Sequence, residues 1–184
     1  PRSSAGSSSA SERAGGVVTS RSIPVERLEN SRWGFGSNCF VCESANTRGM
    51  QVPFSHDTDR GVVFADFTLG AEYSGAPTYV HGGATLALMD EGMSWATIAL
   101  SEKFAFTKET SASFDWPVRV DRPYRLEVRV VEEDERLIVT EAVVLDAKQR
   151  PCVTARAEMA VLSPAQAVDA IGVEPGQGEE RYLR

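Results

Sequence analysis

Chemistry in this chain is concentrated in one apolar run. His81-Gly82-Gly83 leads into Ala84 to Leu100, a stretch whose only ionisable side chains are Asp90 and Glu91. A helix that is apolar on nearly every face is normally the buried one, and an isolated carboxylate in such a place is costly unless it has a task. Paired glycines at a helix entrance let the backbone approach a ligand closely. The first-turn N–H groups have no acceptor inside the helix, so they can face a developing negative oxygen. Gly82 and Gly83 thus outline an oxyanion hole, with an acid two turns further on.

Spacing then constrains assembly. Gly82 and Asp90 are eight residues apart, which is about 12 Å of helix. One carbonyl and its attacking water do not span that distance. Two antiparallel copies of the helix solve the problem, with the glycine end of one facing Asp90 of the other, so a working site predicts at least a homodimer or a dimer of dimers. Glu91 is rotated about 100° from Asp90, so only one of the two acids faces such a partner. A purely structural account also exists, in which the acids lie where the helix meets water and His81 merely caps the helix.

The elements that must position these groups follow from periodicity. The helix is expected over Gly82–Ser101. Before it, Arg48–Ser55 and Gly61–Leu69 read as a hairpin joined by His56–Arg60, with His56 a solvated turn residue. Pro24–Arg32 has the spacing of a short helix, broken by Gly34 and Gly36, with Trp33 and Phe35 packing at an edge or over the domain. After the helix, Thr107–Trp116, Tyr124–Glu132, Arg136–Asp146 and Cys152–Leu162 alternate with period two and are separated by short polar turns. Two strands, one long buried helix and four strands make an α+β domain in which an antiparallel sheet wraps one central helix. Residues 23–163 form this domain. Residues 1–22 are expected to be a disordered or surface-bound tail, and 164–184 a fraying C-terminal tail with one possible turn of helix at Ala165–Ala170.

Val80-His81-Gly82-Gly83 with an acid nine residues after the histidine resembles the hot-dog fold acyl-CoA thioesterases, the PaaI-like and 4-hydroxybenzoyl-CoA thioesterase group. Cys39-Phe40-Val41-Cys42 followed by Gly49-Met50, and Ser111-Ala112-Ser113-Phe114-Asp115-Trp116-Pro117-Val118, extend the resemblance over about residues 33 to 163. It implies hydrolysis of an acyl-CoA thioester without a cofactor. Asp90 would be the general base or nucleophile and the Gly82 N–H the donor to the thioester carbonyl. His81 would shape the loop, and Thr107 would stand where some members hold the attacking water by a hydroxyl. Gly83, Tyr79 and Met93 are candidate substrate-binding residues, although Tyr79 and Met93 would serve equally as core. The loop Tyr73–Thr78 lacks the polar amide that some members carry before the histidine. Two alternatives share the scaffold: a module that binds acyl-CoA without cleaving it, and a hydroxyacyl-thioester dehydratase, which normally needs a second histidine.

Composition bounds the rest. Hydrophobic residues make up 42% and charged residues 24% of the 184 residues, and the net charge of -7 comes without a basic stripe, so nucleic acid is not an expected partner. No apolar run is long enough to span a bilayer and no signal-like segment opens the chain, so a cytoplasmic location is expected. Three cysteines do not suggest a disulfide framework. Cys39 and Cys42 have metal-ligand spacing, but only Cys152, His56 and His81 offer further ligands, so half-buried thiols near a turn are expected, and no metal.

Overall fold

The computed structural model describes residues 24–33 and 36–172. The expectations for the tail 1–22, for Phe35 and for the residues after 172 lie outside these. Nine strands and two α-helices follow in the order β1 (Val25–Leu28), β2 (Phe54–Asp57), β3 (Val62–Phe67), β4 (Ser74–Ala76), β5 (Tyr79–Val80), α1 (Gly82–Ser101), β6 (Ala105–Phe114), β7 (Tyr124–Glu133), β8 (Leu137–Asp146), β9 (Pro151–Val161) and α2 (Pro164–Ile171). Seven strands form one sheet, ordered β1-β2-β3-β7-β8-β9-β6, with every neighbouring pair antiparallel. The long helix packs across β7, β8, β3 and β6, which is the expected wrapped-helix α+β arrangement.

Period two sets the two faces of the sheet. Leu126 and Val128 of β7, Val144 of β8 and Val153 and Met159 of β9 are fully buried toward α1, while Arg129 and Glu141 lie on the outer face. The helix answers with Leu88, Met89, Gly92, Met93 and Ala96, spaced three and four apart and buried. Gly92 is where helix and sheet come closest. A Cβ there would sit 2.8 Å from Leu126 Cδ2 and 3.1 Å from Val128 Cγ2. Another stripe of the helix, including Leu86, Ala87, Asp90 and Ile98, is only half-buried.

Two local expectations are corrected. Pro24–Arg32 is not a helix; β1 pairs with β2 from Val25↔Asp57 to Leu28↔Phe54, and a 3-10 turn covers Asn30–Trp33. So short a helix is marginal, whereas an open strand edge supplies a complete ladder. His56 is not in the turn; it lies half-buried in β2 between Glu26 and Val63, and burial lowers its pKa. The turn begins after Asp57, the last residue of β2, whose buried carboxylate accepts from the Arg60 N–H at 3.1 Å, and Gly61 adopts φ 59°. At the C-terminal end, where one turn of helix was expected at Ala165–Ala170, α2 is a defined helix over Pro164–Ile171. Ser163 and Gln166 form a reciprocal capping box, Pro164 opens the helix, and Gly172 closes it in the left-handed conformation. No helix among the described residues is long and apolar enough to cross a membrane.

Candidate active site

His81 is the N-cap of α1, and its role is visible in the hydrogen bonds. Its backbone is extended (φ -61°, ψ 133°), its N–H donates to the Tyr73 carbonyl at 2.8 Å, and its Nδ1 accepts from the Gly83 N–H at 2.9 Å. The imidazole therefore takes up one first-turn donor. The Gly82 N–H is the donor left ahead of it, at the first helical position, where no intrahelical acceptor exists. His81, Gly82 and Gly83 are all exposed. The ring of Phe114 lies over this entrance, 3.5 Å from where a Gly82 Cβ would be.

Two turns into the helix, Asp90 is half-buried and turned toward β6. The Thr107 hydroxyl donates to Asp90 Oδ1 at 2.6 Å and lies 3.7 Å from Met159 Sδ, so the carboxylate is held by a residue of the outermost strand. A bulge between Thr107 and Glu109 interrupts the pairing of β6 with β9 immediately after this contact.

Glu91 points elsewhere. Its carboxylate, Cys39 Sγ and Cys42 Sγ lie within 4.8 Å of one another. Burial pushes the Glu91 carboxyl up to about 7, with the Cys39 thiol and Asp90 adding to the shift. Cys39 is held down to about 5, chiefly by a hydrogen bond from the Cys42 thiol and further by backbone N–H groups; Cys42 is pushed up by the same pairing. The two adjacent acids thus serve different surroundings, and Asp90 alone is joined to the hydroxyl residue. Neither Cys152 nor either histidine joins the cysteine pair. Sequence spacing does not reveal Glu91 as a companion of the cysteines, because nothing links residues 39–42 to an acid 49 residues further along the chain.

The candidate substrate-binding residues part company. Gly83 is exposed at the helix entrance. Tyr79, half-buried, carries the Arg119 guanidinium 5.0 Å over its ring and forms a bridge with it. Met93 is fully buried between helix and sheet. The arginines that could meet phosphates differ in what already engages them. Arg125 is engaged by Asp66 and Glu127 and Arg156 by Glu132 and Glu141, all on the outer face. Arg119, exposed and next to the loop before His81, has no ion pair among the described residues. A cleft of about 530 Å³ lined by Ser111, Glu127, Arg129, Glu141 and Arg156 lies on the sheet face away from α1 and so is separate from Asp90.

Comparison with known proteins agrees with this architecture. The thioesterase superfamily model matches residues 78–153, from the turn before His81 into β9. A search of curated proteins finds no match. Among solved structures, a thioesterase superfamily protein is 25% identical with a TM-score of 0.64, covering 71% of this chain and 64% of its own; the present chain thus spans less than two thirds of that relative. The Escherichia coli PaaI protein from the phenylacetic acid degradation operon is 14% identical over 62% of this chain and 81% of its own, with a TM-score of 0.55. A Streptococcus mutans protein solved bound to acetyl-CoA is 18% identical over 55% and 82%, with a TM-score of 0.53. These likenesses establish the hot-dog fold.

Proposed function

We propose that this chain, a PaaI-like hot-dog member of the thioesterase superfamily, hydrolyses an acyl-CoA thioester to the free acid and coenzyme A. One observation carries the reading. The carboxylate of Asp90 is aimed by Thr107 at the open edge of the sheet, while the uncommitted N–H of Gly82 lies about 12 Å away on the same helix. Base and oxyanion donor therefore meet only when a second copy lies antiparallel to the first. The edge strand suits that assembly. β6 is ten residues long, exposes Phe106 and Phe114, and lies beside the half-buried stripe of α1. A long exposed edge of this kind is a template for pairing with another chain.

In the assembled site, Asp90 takes a proton from water as the water attacks the thioester carbonyl. The oxygen turns negative and is met by the partner's Gly82 N–H. Collapse breaks the C–S bond, and the coenzyme A thiolate leaves without needing a strong general acid. Direct attack by Asp90 would pass instead through a mixed anhydride with loss of the thiolate, and water opening that anhydride at the aspartyl carbon would place solvent oxygen in the Asp90 carboxyl group. A positioned base contributes about 10²–10⁴ and one oxyanion donor about 10²–10³ in rate. Together that is about 5 to 10 kcal/mol of barrier. Arg119 beside the helix entrance is the basic residue assigned to the phosphates of coenzyme A, a ligand that a hypothetical thioesterase from Streptococcus pneumoniae was solved with.

The test is release of free thiol from a panel of acyl-CoAs by wild type and Asp90→Asn, with mass in solution measured for both. Asp90→Asn is expected to stay dimeric or larger and to lose about 10²–10⁴ in turnover. Undiminished release by that variant, or a monomeric wild type that turns over, refutes the assignment. Tight binding of acyl-CoA with no thiol released by wild type makes the chain a binding module instead.

A further inference from the structure

We propose that Cys39, Cys42 and Glu91 bind one zinc-type divalent cation, which pins the segment 36–52 to the middle of α1, with water as the fourth ligand. The segment is already shaped for it. Cys39 Sγ accepts the N–H groups of Val41 at 3.2 Å and Cys42 at 3.3 Å, so the backbone curls around the sulfur. Cys42 Sγ accepts from the Asn30 side-chain amide at 3.5 Å. Donors to both sulfurs are what thiolate ligands need from their surroundings.

The loop that carries the cysteines closes on itself through Met50 N–H to Phe40 O at 2.8 Å and Val52 N–H to Val41 O at 2.9 Å. Gly49 makes that closure possible, since a Cβ there would collide with the Phe40 carbonyl. Val41, Met50 and Val52 are buried, which seats the loop against the core and brings both sulfurs to Glu91.

Distance and charge favour the cation. Ligand atoms of a tetrahedral zinc site are about 3.8 Å apart for sulfur pairs, given Zn–S of about 2.3 Å. The three atoms here lie within 4.8 Å of one another, so a small inward rotation of the side chains completes the site. Glu91 has no Lys or Arg ion-pair partner among the described residues, and two thiolates beside it would leave three half-buried negative charges together. A divalent ion offsets most of that charge. Two sulfurs with one carboxylate select zinc-type ions over magnesium or calcium, which take oxygen ligands. Asp90 is not a ligand, so the site stands or falls independently of the hydrolase reading.

The experiment uses the full chain, reduced and stripped of metal, titrated with Zn²⁺ and with Co²⁺. Wild type is expected to bind one ion per chain, to show thiolate-to-cobalt charge-transfer absorption, and to have both thiols protected from alkylation by zinc. Cys39→Ser and Cys42→Ser should lose the stoichiometric ion. Glu91→Gln should weaken binding by at least the about 10–100-fold that loss of an outer-shell partner costs, and Asn30→Ala by about that factor. Should the variants misfold, the wild-type cobalt spectrum and thiol protection still decide. No cobalt–thiolate band, equal alkylation rates with and without zinc, or a Cys39–Cys42 disulfide forming in air despite zinc would overturn the site, the last making the pair a redox couple.

Discussion

Gly82 offers an unusually clean way to remove a main-chain donor. Proline is well accepted at the first position of a helix, where its missing N–H has no helical partner, and it needs an extended residue before it. His81 is already extended at ψ 133°, and a Cβ at position 82 meets only the Phe114 ring at an ordinary 3.5 Å. Gly82→Pro therefore deletes the proposed oxyanion donor while leaving the helix, the His81 cap and the fold. Gly82→Ala places the same Cβ but keeps the N–H, so the ratio of the two variants isolates the hydrogen bond. Loss of one oxyanion donor corresponds to about 10²–10³ in turnover, or about 2.7 to 4 kcal/mol. The assay is thiol release under saturating acyl-CoA, with thermal melting alongside. Gly82→Pro is expected to melt near Gly82→Ala and to turn over about 10²–10³ more slowly. Equal turnover by the two variants, with both folded, refutes the assignment of Gly82.

The other predictions concern the carboxylates. Thr107→Val keeps the shape of a β-branched strand residue and removes the hydroxyl that donates to Asp90 Oδ1. A hydrogen bond to a charged group is worth about 1.5–3 kcal/mol, so a loss of about 10-fold is expected at this half-exposed site, with Thr107→Ser recovering most of it. In the Asp90→Asn background the same change should cost little, because Thr107 acts through Asp90; fully additive losses in kcat would sink that view. On the outer face, Glu127 is held below the usual carboxylate range, first by its paired hydrogen bonds from Arg60. A lowered folded pKa gives stability that is present above the unfolded carboxylate range and lost as pH falls through the folded value. Glu127→Gln should therefore lower the melting temperature at neutral pH and narrow its gap from wild type in acid; a constant gap from neutral pH to below the carboxylate range contradicts the pairing.

Periodicity made the large elements legible. The boundaries of α1 are those expected, and β7 to β9 fall within a residue or so, because each is long and alternates cleanly with buried Leu126, Val128, Val144 and Val153. Short elements were not legible for the opposite reason. Four residues of β1 carry too little pattern, and their conformation is decided by the ladder that β2 offers. The α2 helix did announce itself, since Ser163-Pro164-Ala165-Gln166 is a capping box with proline at the first turn. A tail composition rich in Ala, Gly and Glu shortened the expectation to one turn at Ala165–Ala170.

The adjacent acids show where spacing stops and three-dimensional structure takes over. A rotation of about 100° per residue requires Asp90 and Glu91 to face different neighbours, but it does not name them. Thr107, 17 residues away on the edge strand, claims Asp90, and the Cys39–Cys42 loop claims Glu91. Burial follows the same division. Glu91 sits under the loop and its carboxyl rises to about 7, whereas Asp90 keeps a hydroxyl donor at the open edge. One helix thus holds a carboxylate joined to the edge strand and, one residue on, another joined to the Cys39–Cys42 loop. Cutting the Glu91 contact should loosen the loop without touching the donor to Asp90, so the two acids are separable by mutation even though they are neighbours in sequence.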